Sequence, residues 1–487
     1  MKLRGADVLA RALAAAGVRH VFTLSGNHVM PVFDAALEAK LNLVHVRHEA
    51  AAVHMADAWG RLTGEPGIAL VTGGPGHANA LGALYTALAA QSPMVLISGH
   101  APLGELGKGA FQEMPQAALA KPLTVASWTA KSAHKIGKDV ARALREARKG
   151  PVHLSVPNDV LDAMTAPKVF RMKGKSPKPR TAPAALSNAK RPLVIAGPAA
   201  MRRLPKTGFP VIGMESPRGV NDPSLGKLAE ILAKADAVLL LGKPLDFTLR
   251  FGQAFAKGCR ILRAEGEVEL PELGKQEGWF DEVRAALAYR PPEWKQIQDA
   301  RHPVAVCREV QKLLDAPNAV LVADGGEFGQ WVQAGCEAGM RMINGLSGSI
   351  GSAIPLALAA KLRHPDRPVI AALGDGTFGF HAFELDTAVR AGLPVVTVVG
   401  NDARWNAEHQ LQLQHFGAER TVGCELRPSR YDLMTKALGG HGEHVERPED
   451  LTPALERAVA SGLPACVNVV IDGVAAPTYG AAKPPAH

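Results

Sequence analysis

The sequence predicts an α/β chain of three doubly wound parallel-sheet domains, and three observations lead there. Short β-branched runs at 68–72, 94–98, 237–241, 320–323, 369–373 and 395–399 alternate with Ala/Leu-rich stretches of helical length, the pattern of parallel strands covered on both faces. Two Pro-rich, charged segments, 166–189 and 288–302, divide the 487 residues into three blocks. The first and third blocks repeat one local plan of strand, Gly-rich turn, helix, Pro and strand, with 17 residues from Gly76 to Pro93 and 18 from Gly376 to Pro394. The plan predicts two related domains flanking a different one.

The first domain, 1–165, opens with MKLRGADVLARALAAAGVRHVF. Asp7 and Arg11 interrupt its apolar positions, so it reads as an amphipathic helix and not as an export signal. The segment 166–189 is expected to be a basic, solvated linker. Lys168, Arg171, Lys173, Lys175, Lys178 and Arg180, followed by Lys190 and Arg191, meet no Asp or Glu and account for +8 of the net charge of +9. The middle domain, 190–287, is short, at about 100 residues. A second linker, 288–302, leads to the third domain, 303–475, and a brief tail, 476–487.

Charge and composition exclude several functions. The sequence pI of about 9.3 suggests a polyanion partner, but the basic run carries only Phe170 as an aromatic and offers no stacking platform for nucleic acid. No apolar run reaches the roughly 18 residues of a spanning helix, so no membrane partner is expected. Five scattered cysteines with no CxxC indicate neither a zinc site nor a disulfide framework and suit a reducing cytoplasm. Gly73-Gly74-Pro75-Gly76 follows a strand as in dinucleotide folds, yet the next strand ends in Ser98-Gly99-His100 with no acid to grip a ribose. An NAD- or FAD-dependent oxidoreductase is therefore only a remote alternative.

The third block carries the most chemistry. Gly374-Asp375-Gly376-Thr377 directly follows a buried run, and Asn401-Asp402 ends the next one. Asp375 and Asp402 are 27 residues apart, about one helix plus a return strand. Both carboxylates should thus emerge at the carboxyl edge of the sheet, where open α/β sheets bind ligands. The glycines permit close backbone approach, the next helix offers N–H groups to a phosphate, and two hard oxygen ligands beside a diphosphate suit magnesium.

With these residues the chain resembles the thiamine diphosphate enzymes of the acetolactate synthase, benzaldehyde lyase and oxalyl-CoA decarboxylase type. Their signature is a GDG or GDx turn followed after some 26 residues by an Asn pair whose second Asn binds the metal. Asp375 matches the first ligand, Asp402 falls on that second Asn, and the backbone carbonyl of Arg404 would be the third. Asp in place of Asn adds a negative charge, so Asn401 stays open as an alternative ligand. Val46-Arg47-His48-Glu49-Ala50, Gly74-Pro75-Gly76, Phe111-Gln112-Glu113 and the segment GPVHLSVP ending at Pro157 also match the family in order. So does Ser347-Gly348-Ser349-Ile350-Gly351, where Ile350 would sit under the bend of the cofactor.

The resemblance implies thiamine diphosphate and magnesium as cofactors, bound through Glu49, Gly74, Gly76, Ser347, Ile350, Gly374, Asp375, Gly376, Thr377 and Asp402. Glu49 matches the carboxyl group that drives the aminopyrimidine into its imino tautomer, a role that works best out of water. His28 matches a proton-shuttling histidine of benzaldehyde lyase, and Gln112 a glutamine near the reacting carbon. His77, in the GPGH turn, is a further candidate relay because imidazole titrates near neutrality.

The implied activity is that of an acetolactate synthase-like enzyme, decarboxylating a 2-oxo acid or making or cleaving the carbon–carbon bond of an acyloin. A benzaldehyde lyase-like or 2-hydroxyacyl-CoA lyase/oxalyl-CoA decarboxylase-like lyase is the alternative, and the brief tail puts a CoA thioester in doubt. An obligate homodimer, doubled to a homotetramer, is implied. FAD is not expected, because the middle domain is short and its Leu241-Gly-Lys-Pro-Leu-Asp246 resembles flavin-free relatives.

Overall fold

The computed structural model describes residues 2–166, 180–204, 209–270 and 276–479. Six parallel strands make the first sheet: β1 (His20–Thr23), β2 (Asn42–His45), β3 (Gly67–Val71), β4 (Met94–His100), β5 (Ala126–Thr129) and β6 (Val152–Pro157). Their order is β2-β1-β3-β4-β6-β5. The middle sheet has four parallel strands, β7 (Pro192–Ala196), β8 (Val211–Gly213), β9 (Ala237–Leu241) and β10 (Arg260–Ala264), in the order β8-β7-β9-β10. The third sheet again has six, β11 (Val320–Ala323), β12 (Met340–Ile343), β13 (Val369–Gly374), β14 (Val396–Asn401), β15 (His441–Val445) and β16 (Ala465–Val470). It runs β12-β11-β13-β14-β16-β15, so the first and third sheets share one strand permutation.

The burial pattern explains why these segments are strands. Every residue of β3, GIALV, and of β9, AVLLL, is buried, as continuous apolar runs must be when both faces of a parallel sheet are covered. Each sheet has its own core. Leu9, Ile68, Leu96 and Leu154 are wholly buried in the first block, Leu193, Leu239 and Phe280 in the middle one, and Leu321, Val332 and Val398 in the third.

Contacts divide the chain into two compact units. One comprises the described residues of 1–175 with 354–366 and 381–395, and the other the described residues of 176–353, 367–380 and 396–487. The basic segment 166–189 is not all linker. Arg180–Thr181 pairs in parallel with Val268–Glu269, and Ala182, Leu186 and Ala189 are buried with the middle core. Three apolar side chains in this stretch find a core to join, so the middle fold begins earlier than charge alone suggested; residues 167–179 lie outside the described residues. The segment 288–302 is also packed: the Trp294 ring lies 5.1 Å from that of Trp331, and Arg290 donates to the carbonyls of Ser224 and Ala334.

The strand permutation places the sites. In both six-stranded sheets the chain leaves the first and third strands in opposite directions, opening a crevice between their carboxyl ends. In the first sheet that crevice lies between the residues after Thr23 and those after Val71; in the third it lies between those after Ala323 and Gly374.

Candidate active site

In the first unit the crevice gathers Glu49, His28, Thr72, Gly74, Gly76 and Gln112. Glu49 is the first residue of α1 (Glu49–Thr63) and is buried. The helix start is held from outside: Glu384 accepts hydrogen bonds from the N–H groups of Arg47 (3.0 Å) and His48 (3.1 Å) and from the Thr387 hydroxyl (2.6 Å). Burial holds the Glu384 carboxyl above its usual range. The His48 ring accepts from the Ala50 N–H. Asn79, on α2 (Pro75–Ala89), donates to Glu49 Oε2 at 3.0 Å. A Cβ added at Gly76 would lie 3.1 Å from Glu49 Oε1, so the absence of a side chain there is what lets the carboxylate lie over the turn.

His28 Nδ1 lies 3.3 Å from Thr72 Oγ1, and its ring stacks on Phe111 at 6.3 Å between centroids. Burial, helped by the nearby His100, lowers its pKa. Gln112 has a left-handed backbone, φ 56°, and its carbonyl and Cβ would lie within 2.7 Å of a Cβ on Gly74. Gly74, itself at φ 58°, can only be glycine under such a lid.

His77 is fully buried, bonded through Nδ1 to Ser98 Oγ at 2.8 Å with its ring 4.7 Å from that of His153. Burial pushes its pKa down to about 4.

In the second unit β13 and β14 are neighbours paired Gly374 to Gly400, which brings Asp375 and Asp402 together at one carboxyl edge. Burial, reinforced by the charge of Asp402, pushes the Asp375 carboxyl up to about 7. Burial pushes Asp402 up to about 6, partly offset by the Arg404 N–H at 3.2 Å. Asp375 Oδ2 is buried without a hydrogen-bond partner. Two facing carboxylates with an orphaned oxygen are unfavourable alone and suit a hard divalent cation. Among the described residues no group of three or more His, Cys, Asp or Glu side chains could hold a metal. Arg404 bridges to Glu425 through the N–H of Trp405 and the carbonyl of Ala403, a pairing that does not use the Arg404 carbonyl.

Asn401 is committed elsewhere. It donates to Asn468 Oδ1 (3.0 Å) and the Ser429 carbonyl (3.2 Å) and accepts from the Ala403 N–H (3.2 Å). Asp402 is thus the residue that faces Asp375. Thr377 Oγ1 donates to the Gly374 carbonyl at 2.9 Å, closing the turn, and a Cβ on Gly376 would lie 2.7 Å from the Trp405 ring. Ile350 is half-buried against Gly325, its Cγ2 2.9 Å from where a Cβ on that glycine would stand. Ser347 Oγ accepts from the Ser349 N–H in the same loop.

Four contributors escaped sequence reasoning: Asn79, Glu384, Gln116 and Asp324. Asp324 is wholly buried and accepts N–H bonds from Gly325 (2.8 Å), Gly351 (3.0 Å) and Ala353 (2.9 Å), which pins the loop that carries Ile350. Burial pushes its pKa up to about 6. A signal existed, since Asp324-Gly325-Gly326 follows β11 as Asp375-Gly376 follows β13. Gln116 is wholly buried and bonds Gly74, Gly99 and Ser155, and nothing local in the sequence marks it.

Residues 3–119 match the family described as thiamine pyrophosphate enzyme, N-terminal TPP binding domain, and residues 324–469 its C-terminal TPP binding domain. The acetolactate synthase large subunit of Mycobacterium tuberculosis is 35% identical, over 96% of this chain and 95% of its own length. The 2-hydroxyacyl-CoA lyase 2 of Bos taurus is 29% identical over 96% of this chain and 90% of its own. The acetolactate synthase of Bacillus subtilis is 27% identical over 97% and 94%.

Proposed function

The chain belongs to the thiamine pyrophosphate enzyme family, and from that premise we propose a thiamine diphosphate- and magnesium-dependent, acetolactate synthase-like activity. Its donor is a 2-oxo acid or an acyloin, and the bond made or cleaved lies next to a carbonyl. When bound, the cofactor supplies a thiazolium carbon that adds to the carbonyl and takes the electron pair left by departing carbon dioxide or aldehyde.

The protein's part follows from its own side chains. Asp375, Asp402 and the carbonyl of Arg404 would hold magnesium; the orphaned Asp375 Oδ2 beside Asp402 is the observation that carries this reading. Gly374, Gly376 and Thr377 line the turn offered to the diphosphate, and Ser347 and Ile350 the loop offered to the body of the cofactor. Asn79 donates to Glu49 Oε2, and the Glu49 carboxyl would meet the aminopyrimidine ring of the cofactor. His28, its pKa lowered by burial, accepts or returns a proton at the substrate oxygen, and Gln112 orients that oxygen. The assembly we propose is a homodimer, doubled to a homotetramer.

A 2-hydroxyacyl-CoA lyase-like activity is the second reading, supported by the 29% identity to such a lyase. Incubation with thiamine diphosphate, magnesium and a panel of 2-oxo acids, acyloins and 2-hydroxyacyl-CoA thioesters decides between them, with carbon dioxide and aldehyde followed separately. Carbon dioxide from a 2-oxo acid supports the first reading, and aldehyde from a thioester the second. Neither product from any donor would overturn both.

A further inference from the structure

Gln116 is wholly buried beneath the first-unit crevice, and its amide makes three bonds. Oε1 accepts from the Gly74 N–H at 2.8 Å, and Nε2 donates to the Gly99 carbonyl at 2.9 Å and to Ser155 Oγ at 3.0 Å. The orientation is dictated by the partners, since a backbone N–H can only donate and a carbonyl only accept. One side chain therefore ties the turn after β3 to β4 and β6.

The two anchored glycines are the floors on which the two candidate groups rest. Gln112 lies directly over Gly74, and His28 lies over Gly99, its Cβ only 2.5 Å from where a Cβ on Gly99 would stand. Between them, a Cβ on Gly73 would lie 3.1 Å from Gln116 Oε1 and 3.3 Å from His28 Nδ1. Gln116 also lines an open pocket of about 580 Å³ together with His100, Met114 and Thr129.

We propose that Gln116 is a positioning residue that sets His28 and Gln112 relative to each other through the backbones of Gly99 and Gly74. The proposal rests on the assignment of those two residues to the substrate side of the reaction. Its physical content is that misplacement of reacting groups by about an ångström costs up to a hundredfold in rate.

Two variants test it in the full chain. Gln116→Met keeps the size and removes all three bonds. Gln116→Glu keeps an acceptor for Gly74 but meets the Gly99 carbonyl with a donor only when protonated, and burial raises the pKa of such a carboxyl. Gln116→Met should lower kcat by about tenfold to a hundredfold, with thiamine diphosphate affinity, read by calorimetric titration, within about twofold of wild type. Gln116→Glu should show a new pH dependence, active at low pH and falling as pH rises, absent from wild type and from the Met variant. A purely structural role would move stability without giving the Glu variant its own pH profile. Wild-type kcat in Gln116→Met, or a Gln116→Glu profile that overlays the wild type, would overturn the proposal. A wild-type chain without thiamine-dependent activity would instead overturn the assignment beneath it.

Discussion

Replacing Asp324 by Asn should leave a chain whose stability no longer falls with pH in the way the wild type's does. The native carboxyl is wholly buried and titrates at about 6, against 3.8 in the unfolded chain. A carboxyl raised on folding binds its proton more tightly in the native state. Its contribution is fully present below about pH 3.8 and is lost as pH rises through about 6. The shift of about two units corresponds to about 3 kcal/mol in all, of which about 2 kcal/mol falls between about pH 4.5 and about pH 7.5.

Asn at 324 can keep the N–H bonds of Gly325 and Gly351 on its oxygen but turns an NH2 toward the Ala353 N–H, at a cost of about 1–3 kcal/mol. At neutral pH the two effects nearly cancel, so the midpoint alone is uninformative. The assay is denaturant unfolding of wild type and variant at several pH values, read as their difference. Other titrating groups, including the buried histidines whose sign is opposite, cancel in that difference. The wild type should lose about 2 kcal/mol relative to the variant across that window. A difference that stays constant with pH would refute the burial argument for Asp324.

Other expectations are more direct. Glu49→Gln should lose most activity while keeping fold and thiamine diphosphate affinity, checked by steady-state rates beside fluorescence titration; a wild-type rate would remove Glu49 from the mechanism. Asp375→Ala should abolish magnesium-dependent cofactor binding, whereas Asp402→Asn, which keeps an oxygen ligand, should stay within about tenfold of wild type, a change of about 1.4 kcal/mol. Gly376→Ala places a methyl 2.7 Å from the Trp405 ring and should cost about 1–3 kcal/mol in stability, read by denaturant unfolding.

Much of this was readable before the fold was known, because local rules decide it. The runs at 237–241 and 320–323 coincide with β9 and β11, since continuous apolar runs have few other options. The 27-residue spacing of Asp375 and Asp402 anticipated neighbouring strand ends because helix and strand lengths are narrowly distributed. What stayed hidden depends on pairing distant segments. Gln116 joins residues 42, 17 and 39 positions away, Glu384 reaches Arg47 across 337, and neither leaves a local mark. The surroundings of His77 were equally hidden, since its turn folds it inward onto Ser98 and His153. The segment 180–189 misled because its flanking charges outweighed three apolar residues that find a core.

The most direct test of the site as a whole is calorimetric titration of the wild-type chain with thiamine diphosphate, with and without magnesium. Saturable binding that requires the cation and disappears in Asp375→Ala is the expected result. Binding that needs neither magnesium nor Asp375, or no binding at all, would contradict the account.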